Sequence, residues 1–99
     1  MDWDVIWAES ALAGVEVAVR YSAKHSAVAE ELRAALFAAT DVLARFPEIG
    51  AVYEGDESGR TREIVCRQYR IFYRPRAADR RVDVILVWHS ARREPRPPR

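Results

Sequence analysis

The sequence predicts an α+β layer: an N-terminal strand, an α-helical hairpin, then a three- to four-stranded antiparallel sheet. Three observations carry that prediction. Residues 61–92 hold three short runs rich in Val, Ile, Tyr and Phe, separated by charged or turn-forming residues, which is how strands read. Residues 10–46 place apolar side chains three and four apart, which is how amphipathic helices read. At the start of the chain, Trp3, Val5 and Trp7 alternate with Asp2, Asp4 and Ile6, the period of a strand.

The elements follow in order. After the first strand, Glu9 or Ser10 caps a helix whose apolar face is Leu12, Val15, Val19 and Ser22, ending near Lys24-His25. Gly14 costs that helix about 1 kcal/mol relative to alanine, so it marks a close helix contact. Ser26 caps a second helix with the stripe Val28, Leu32, Ala35, Leu36, Ala39, Leu43 and Phe46. Pro47 stops it and Gly50 completes a turn. Ala51-Val52-Tyr53 reads as a short edge strand, and residues 54–59 as a polar loop. Strands follow near 61–66, 69–75 and 82–88, the first two joined by a tight turn at Arg67-Gln68. Within the second, Tyr69, Ile71 and Tyr73 point one way and Arg70, Phe72 and Arg74 the other. If the tyrosine face packs on the helices, the arginine face is a basic surface, and there the protein is expected to act. In the last strand Val82, Val84, Leu86 and Trp88 alternate with Asp83, Ile85 and Val87, so both faces are apolar and the strand is central.

The 99 residues make one domain over 1–93, with a flexible Pro/Arg tail at 94–99. No apolar run approaches the ~18 residues that cross a bilayer, and the acidic start Met1-Asp2-Trp3-Asp4 is unlike a signal peptide. Cys66, the single cysteine, has no internal disulfide partner, which suits a reducing cytoplasm, and reads as a small core residue. No Cys/His cluster, Gly-rich phosphate loop or paired acid motif occurs, so neither metal nor cofactor is expected.

Charge divides the chain. Residues 1–59 hold four basic and eleven acidic side chains, a net of −7; residues 60–99 hold twelve arginines and four acids, a net of +8. Arginine recognises phosphate and carboxylate through two parallel hydrogen bonds and stacks on rings. The basic half therefore implies a polyanionic or acidic partner, unless its arginines pair with the acidic helices.

In order and spacing, five segments resemble the RelE/ParE superfamily of toxins from type II toxin–antitoxin systems. They are Val5-Ile6-Trp7, Phe46-Pro47-Glu48-Ile49-Gly50, Arg62, Tyr69-Arg70-Ile71-Phe72-Tyr73 and Val87-Trp88-His89-Ser90-Ala91-Arg92. The resemblance spans nearly the whole chain. It implies the architecture read above, a cytoplasmic bacterial protein and a cognate antitoxin as partner. It also implies one of two activities. ParE-like members inhibit DNA gyrase; RelE-like members cut mRNA in the ribosomal A site.

RNA cleavage by a 2′-hydroxyl needs a base, an acid and a cation near the phosphate. The lysine–arginine cluster of RelE-like nucleases is absent here, Lys24 being the only lysine. The C-terminal His-Tyr pair of YoeB-like nucleases is broken, because Ser90 follows His89. For a nuclease, His89 remains as acid or base, with Arg67, Arg70 and Arg92 on phosphate and Tyr69 or Tyr73 on a base. For a binding toxin, Arg62, Arg67, Tyr69, Arg70, Tyr73 and Arg92 are the target-contacting set, and His89 is a turn residue. His25 has no partner legible in the sequence. The leading expectation is the gyrase-binding toxin, with the mRNA endoribonuclease as its alternative.

Overall fold

Alternation along the strands decides which side chains meet the helices. The computed structural model describes residues 2–22 and 26–97. Within them β1 (Asp4–Trp7) leads to α1 (Glu9–Ser22) and α2 (Ser26–Ala39), then β2 (Ala51–Val52), β3 (Arg62–Cys66), β4 (Tyr69–Arg76) and β5 (Arg81–His89). The five strands form one mixed sheet in the order β1-β5-β4-β3-β2. The hairpin strands are antiparallel, while β1 joins the far side of β5 in parallel, Asp4 opposite Arg81 through Trp7 opposite Val84. The first half of β5 is thus central, as its two apolar faces predict. The expected end of the first helix at Lys24-His25, and the turn containing His25, lie outside the described residues.

The main core lies between the helices and one sheet face. Tyr69, Ile71 and Tyr73 of β4 and Val82, Val84 and Val87 of β5 meet Ala11, Val15, Ala18 and Val19 of α1 and Leu32 and Leu36 of α2. Each fully buried side chain such as Val15, Leu36 or Ile71 contributes about 1.5–3 kcal/mol. Of the expected α1 stripe, Val15 and Val19 are buried, but Leu12 is exposed and Ala11 and Ala18 are buried in its stead. Small residues face the sheet because α1 lies close to it. A Cβ on Gly14 would stand 2.7 Å from the Val87 carbonyl oxygen. The contact expected at Gly14 is therefore with β5.

Two further expectations change. The second helix does not run on to Phe46. It ends at Ala39, the buried Thr40 hydroxyl donates to the Phe37 carbonyl at 2.9 Å, and the chain tightens into a 3₁₀ turn at Asp41–Ala44. Leu43 still reaches the core, but Phe46 is 57% exposed. In β5 the register shifts: Tyr73 faces Val84 and Phe72 faces Leu86, leaving Ile85 as an extra residue. A bulge flips the alternation beyond it, so Val87 turns to the helices, and Leu86 and Trp88 pack on the other face.

That other face corrects the expectation of an open basic surface. Tyr53, Phe72 and Ile85 form a second, smaller core there. Of the expected tail, Glu94 and Pro95 lie against it: the Tyr53 hydroxyl donates to Glu94 Oε2 at 2.9 Å and to the Pro95 carbonyl at 3.0 Å. Trp88 Nε1 donates to the Arg93 carbonyl at 2.7 Å. A guanidinium shielded from water needs a carboxylate. Arg70 accordingly bonds Glu63 at 2.7 Å and Glu94 at 2.9 Å, and the buried Arg74 bonds Asp56 at 3.3 Å.

Candidate functional site

Because β1 pairs only with Arg81–Val84, the second half of β5 has no strand on that side. Helix α1 lies along this open edge, held by Gly14 against Val87, and a groove of about 1000 Å³ runs between them. Val17, Arg20 and Tyr21 supply its helical wall. Gln68, Tyr69, Trp88, His89 and Arg92 supply the sheet end, where the Arg67-Gln68 turn and the end of β5 meet. Tyr21 is 82% exposed. Among the described residues, two guanidinium groups and no carboxylate line the groove, so it favours an anionic or electron-rich ligand.

His89 sits opposite Tyr69 in the sheet, their rings edge-to-face with centroids 5.3 Å apart. Its Nδ1 accepts the Ala91 N–H at 3.1 Å. An accepting Nδ1 carries no proton, so this contact fits the tautomer with its proton on Nε2. Nε2 lies 3.4 Å from Gln68 Oε1 and faces it as a donor. Arg92 stacks on Trp88, its guanidinium carbon 4.0 Å from the ring centroid. The groove thus presents aromatic planes and two cations, with one imidazole held by the turn that follows it.

The residues expected from sequence divide into two groups. Tyr69, His89 and Arg92 come together at the groove. The other four serve the scaffold contacts around them. Arg62 donates to the carbonyls of Glu48 (3.1 Å) and Gly50 (2.7 Å), clamping the Phe46–Gly50 turn. Arg67 bonds Glu31 of α2, which holds that carboxyl below its usual range. Arg70 lies between Glu63 and Glu94 with its guanidinium carbon 5.4 and 5.0 Å from the Tyr53 and Phe72 ring centroids. Tyr73 is fully buried, and its hydroxyl accepts the Gly50 N–H at 2.8 Å. Burial, with that hydrogen bond opposing it, pushes the Tyr73 phenol up.

Arg20, Tyr21 and Gln68 were not legible as site residues. Tyr21 follows Arg20 on a helix with no motif around it, and only the position of α1 over the open edge of β5 brings them to His89. Among the described residues no group of three His, Cys, Asp or Glu side chains is arranged to hold a metal, and no helix is long and apolar enough to cross a membrane.

Three comparisons bear on this chain. The fold is similar to that of a chain in the crystal structure of the toxin–antitoxin complex RelBE2 from Mycobacterium tuberculosis. The TM-score is 0.65 at 21% identity, covering 90% of this chain and 99% of that one. It is also similar to the isolated E. coli RelE toxin, with a TM-score of 0.57 at 24% identity, covering 93% of this chain and 88% of that one. At these identities the likeness concerns the fold. No curated protein matches the sequence. The family described as ParE toxin of type II toxin-antitoxin system, parDE, matches residues 5–94, which contain the open edge of β5, the groove beside it and every residue of its wall. On that match the chain belongs to the ParE toxin family, within the RelE/ParE superfamily of type II toxin–antitoxin systems.

Proposed function

We propose that this chain is a ParE-like toxin that inhibits DNA gyrase by binding it, in the bacterial cytoplasm, and that a cognate antitoxin neutralises it. The groove beside α1 is the target-facing surface. The observation that carries this reading is the absence of an assembled acid–base set. Among the described residues no carboxylate lines the groove, and His89 Nδ1 is occupied by a backbone N–H. Of the three arginines expected on phosphate, Arg67 and Arg70 are committed to acids of the chain itself, and Arg92 alone lines the groove. What the groove does offer is exposed aromatic area and positive charge, the equipment of a binding surface.

The antitoxin is proposed to cover the exposed apolar side chains of the helices, Leu12, Val17 and Val28, and those around the edge strand β2, Phe46, Ile49 and Val52. An added strand or a groove-bound helix would bury them.

A second reading has one observation in its favour: His89 lines the same groove as Arg20 and Arg92, beside stacking surfaces suited to RNA bases. On that reading the chain is a ribosome-dependent mRNA endoribonuclease. The test is to add antitoxin-free protein to a gyrase supercoiling reaction and, separately, to cell-free translation. Inhibited supercoiling with intact mRNA is the expected result. Codon-periodic mRNA cuts that vanish in His89→Ala would overturn it in favour of the nuclease.

A further inference from the structure

The loop at residues 54–60 is clipped onto β4 by a buried arginine. Arg74 is 6% exposed. Its Nε donates to the Thr61 hydroxyl at 3.0 Å and its Nη2 to Asp56 Oδ2 at 3.3 Å. Asp56 is itself fully engaged, accepting from the Thr61 hydroxyl and from the Ser58 N–H. These contacts fix the guanidinium plane and leave Nη1 with no protein partner among the described residues. No sealed side-chain nitrogen or oxygen there lacks a partner, so Nη1 is reached from outside. Arg74 lines a cavity of about 570 Å³.

Arg60 and Arg96 line the same cavity, and neither side chain makes an ion pair or hydrogen bond among the described residues. Arg96 is brought there by the tail, which Tyr53 holds at Glu94 and Pro95. The Ser58 hydroxyl accepts the Arg60 N–H at 3.2 Å and turns its own proton to the Asp56 carboxylate. Against three guanidinium groups stand two carboxylates. One of them, Asp56, is spent on holding Arg74; the other, Glu57, is exposed.

We infer that this cavity is an oxyanion site for a phosphate group, bound by Arg74 Nη1 from below and by Arg60 and Arg96 from the rim. Guanidinium donors match phosphate oxygens in geometry and charge, and a pre-fixed guanidinium loses little freedom on binding. The phosphate is carried either by a small phosphorylated molecule or by a nucleic-acid backbone. The site is formed by the face opposite the helices and does not depend on the groove beside α1.

The experiment titrates the full-length, antitoxin-free chain with pyrophosphate and with a short mixed-sequence single-stranded DNA, by calorimetry and by amide NMR. Arg74→Ala is unsuitable because it unclips the loop; the double variant Arg60→Gln/Arg96→Gln removes only exposed groups. Saturable pyrophosphate binding that moves the Ser58 and Gly59 amides, and that weakens about tenfold or more in the double variant, is expected. If the DNA binds with the same arginine dependence and pyrophosphate displaces it, the phosphate belongs to a nucleic acid. If only pyrophosphate binds, it belongs to a small molecule. No saturable binding of either probe at millimolar concentration, or binding equally strong in the double variant, overturns the site.

Discussion

Single residues here carry paired duties that a substitution separates. Tyr73 fills the core with its ring and satisfies a buried backbone N–H with its hydroxyl, Gly50 N to Tyr73 Oη being 2.8 Å. Tyr73→Phe keeps the ring and strands that donor, so it is expected to cost about 1–3 kcal/mol in urea unfolding, with no change in the sheet. Asp56 gives a pH signature. Its hydrogen bonds from the Thr61 hydroxyl and the Ser58 N–H, and the nearby Arg74 charge, hold its carboxyl well below the usual carboxylate range. A carboxyl depressed in the folded state stabilises that state above its unfolded pKa of about 3.9, and the contribution is lost as pH falls through the lower folded value. Asp56→Asn is therefore expected to reduce stability at neutral pH and to flatten its decline below about pH 4. Thermal unfolding of both proteins from pH 7 to pH 2 checks this; parallel curves would show that Asp56 is not part of the acid transition.

At the scale of the elements, close approach and register decide what sequence alone could not. Gly14 was legible as a contact because glycine in a helix needs a reason, and the contact is the Val87 carbonyl. Gly14→Ala drives a Cβ into backbone, which cannot swing aside. A loss of about 1–3 kcal/mol is expected by chemical denaturation, although alanine is the better helix former. It should also open the groove, so amide exchange along residues 85–89 should quicken. The strands of residues 62–89 and the division of β4 into a tyrosine face and an arginine face were readable from period-two alternation. The bulge at Ile85 was not, because Val, Ile and Leu at 84–86 fit either face equally well. Nor was the stop at Thr40: a threonine between alanines and an aspartate does not announce that its hydroxyl bonds back to Phe37. Alanine-rich α1 hid its own stripe, since Ala11 and Leu12 both read as apolar and only the tight packing on β5 selects the smaller.

For the whole molecule, the division of charge is partly closed within the fold. Arginines of the basic half find acids across the fold: Arg62 with Glu48, Arg67 with Glu31, Arg70 with Glu63 and Glu94, Arg74 with Asp56, and Arg76 and Arg81 with Asp83. The candidate site was legible to the extent that Tyr69, His89 and Arg92 lie within or beside two recognisable segments, Tyr69–Tyr73 and Val87–Arg92. It was illegible where distant parts of the chain meet, because Arg20 and Tyr21 reach His89 only through the helix that fills the place of a missing strand. Among the described residues, Arg20 and Arg92 give the groove its positive charge. The most direct test of a target-binding groove is the inhibition of gyrase supercoiling by Arg20→Glu/Arg92→Glu, whose side chains bond no acid among the described residues, compared with unaltered toxin and with His89→Ala. The account predicts that the charge-reversed pair loses inhibition about tenfold or more while its folding midpoint is kept, and that His89→Ala stays within a few-fold of the unaltered toxin. Full inhibition by the charge-reversed pair would contradict it.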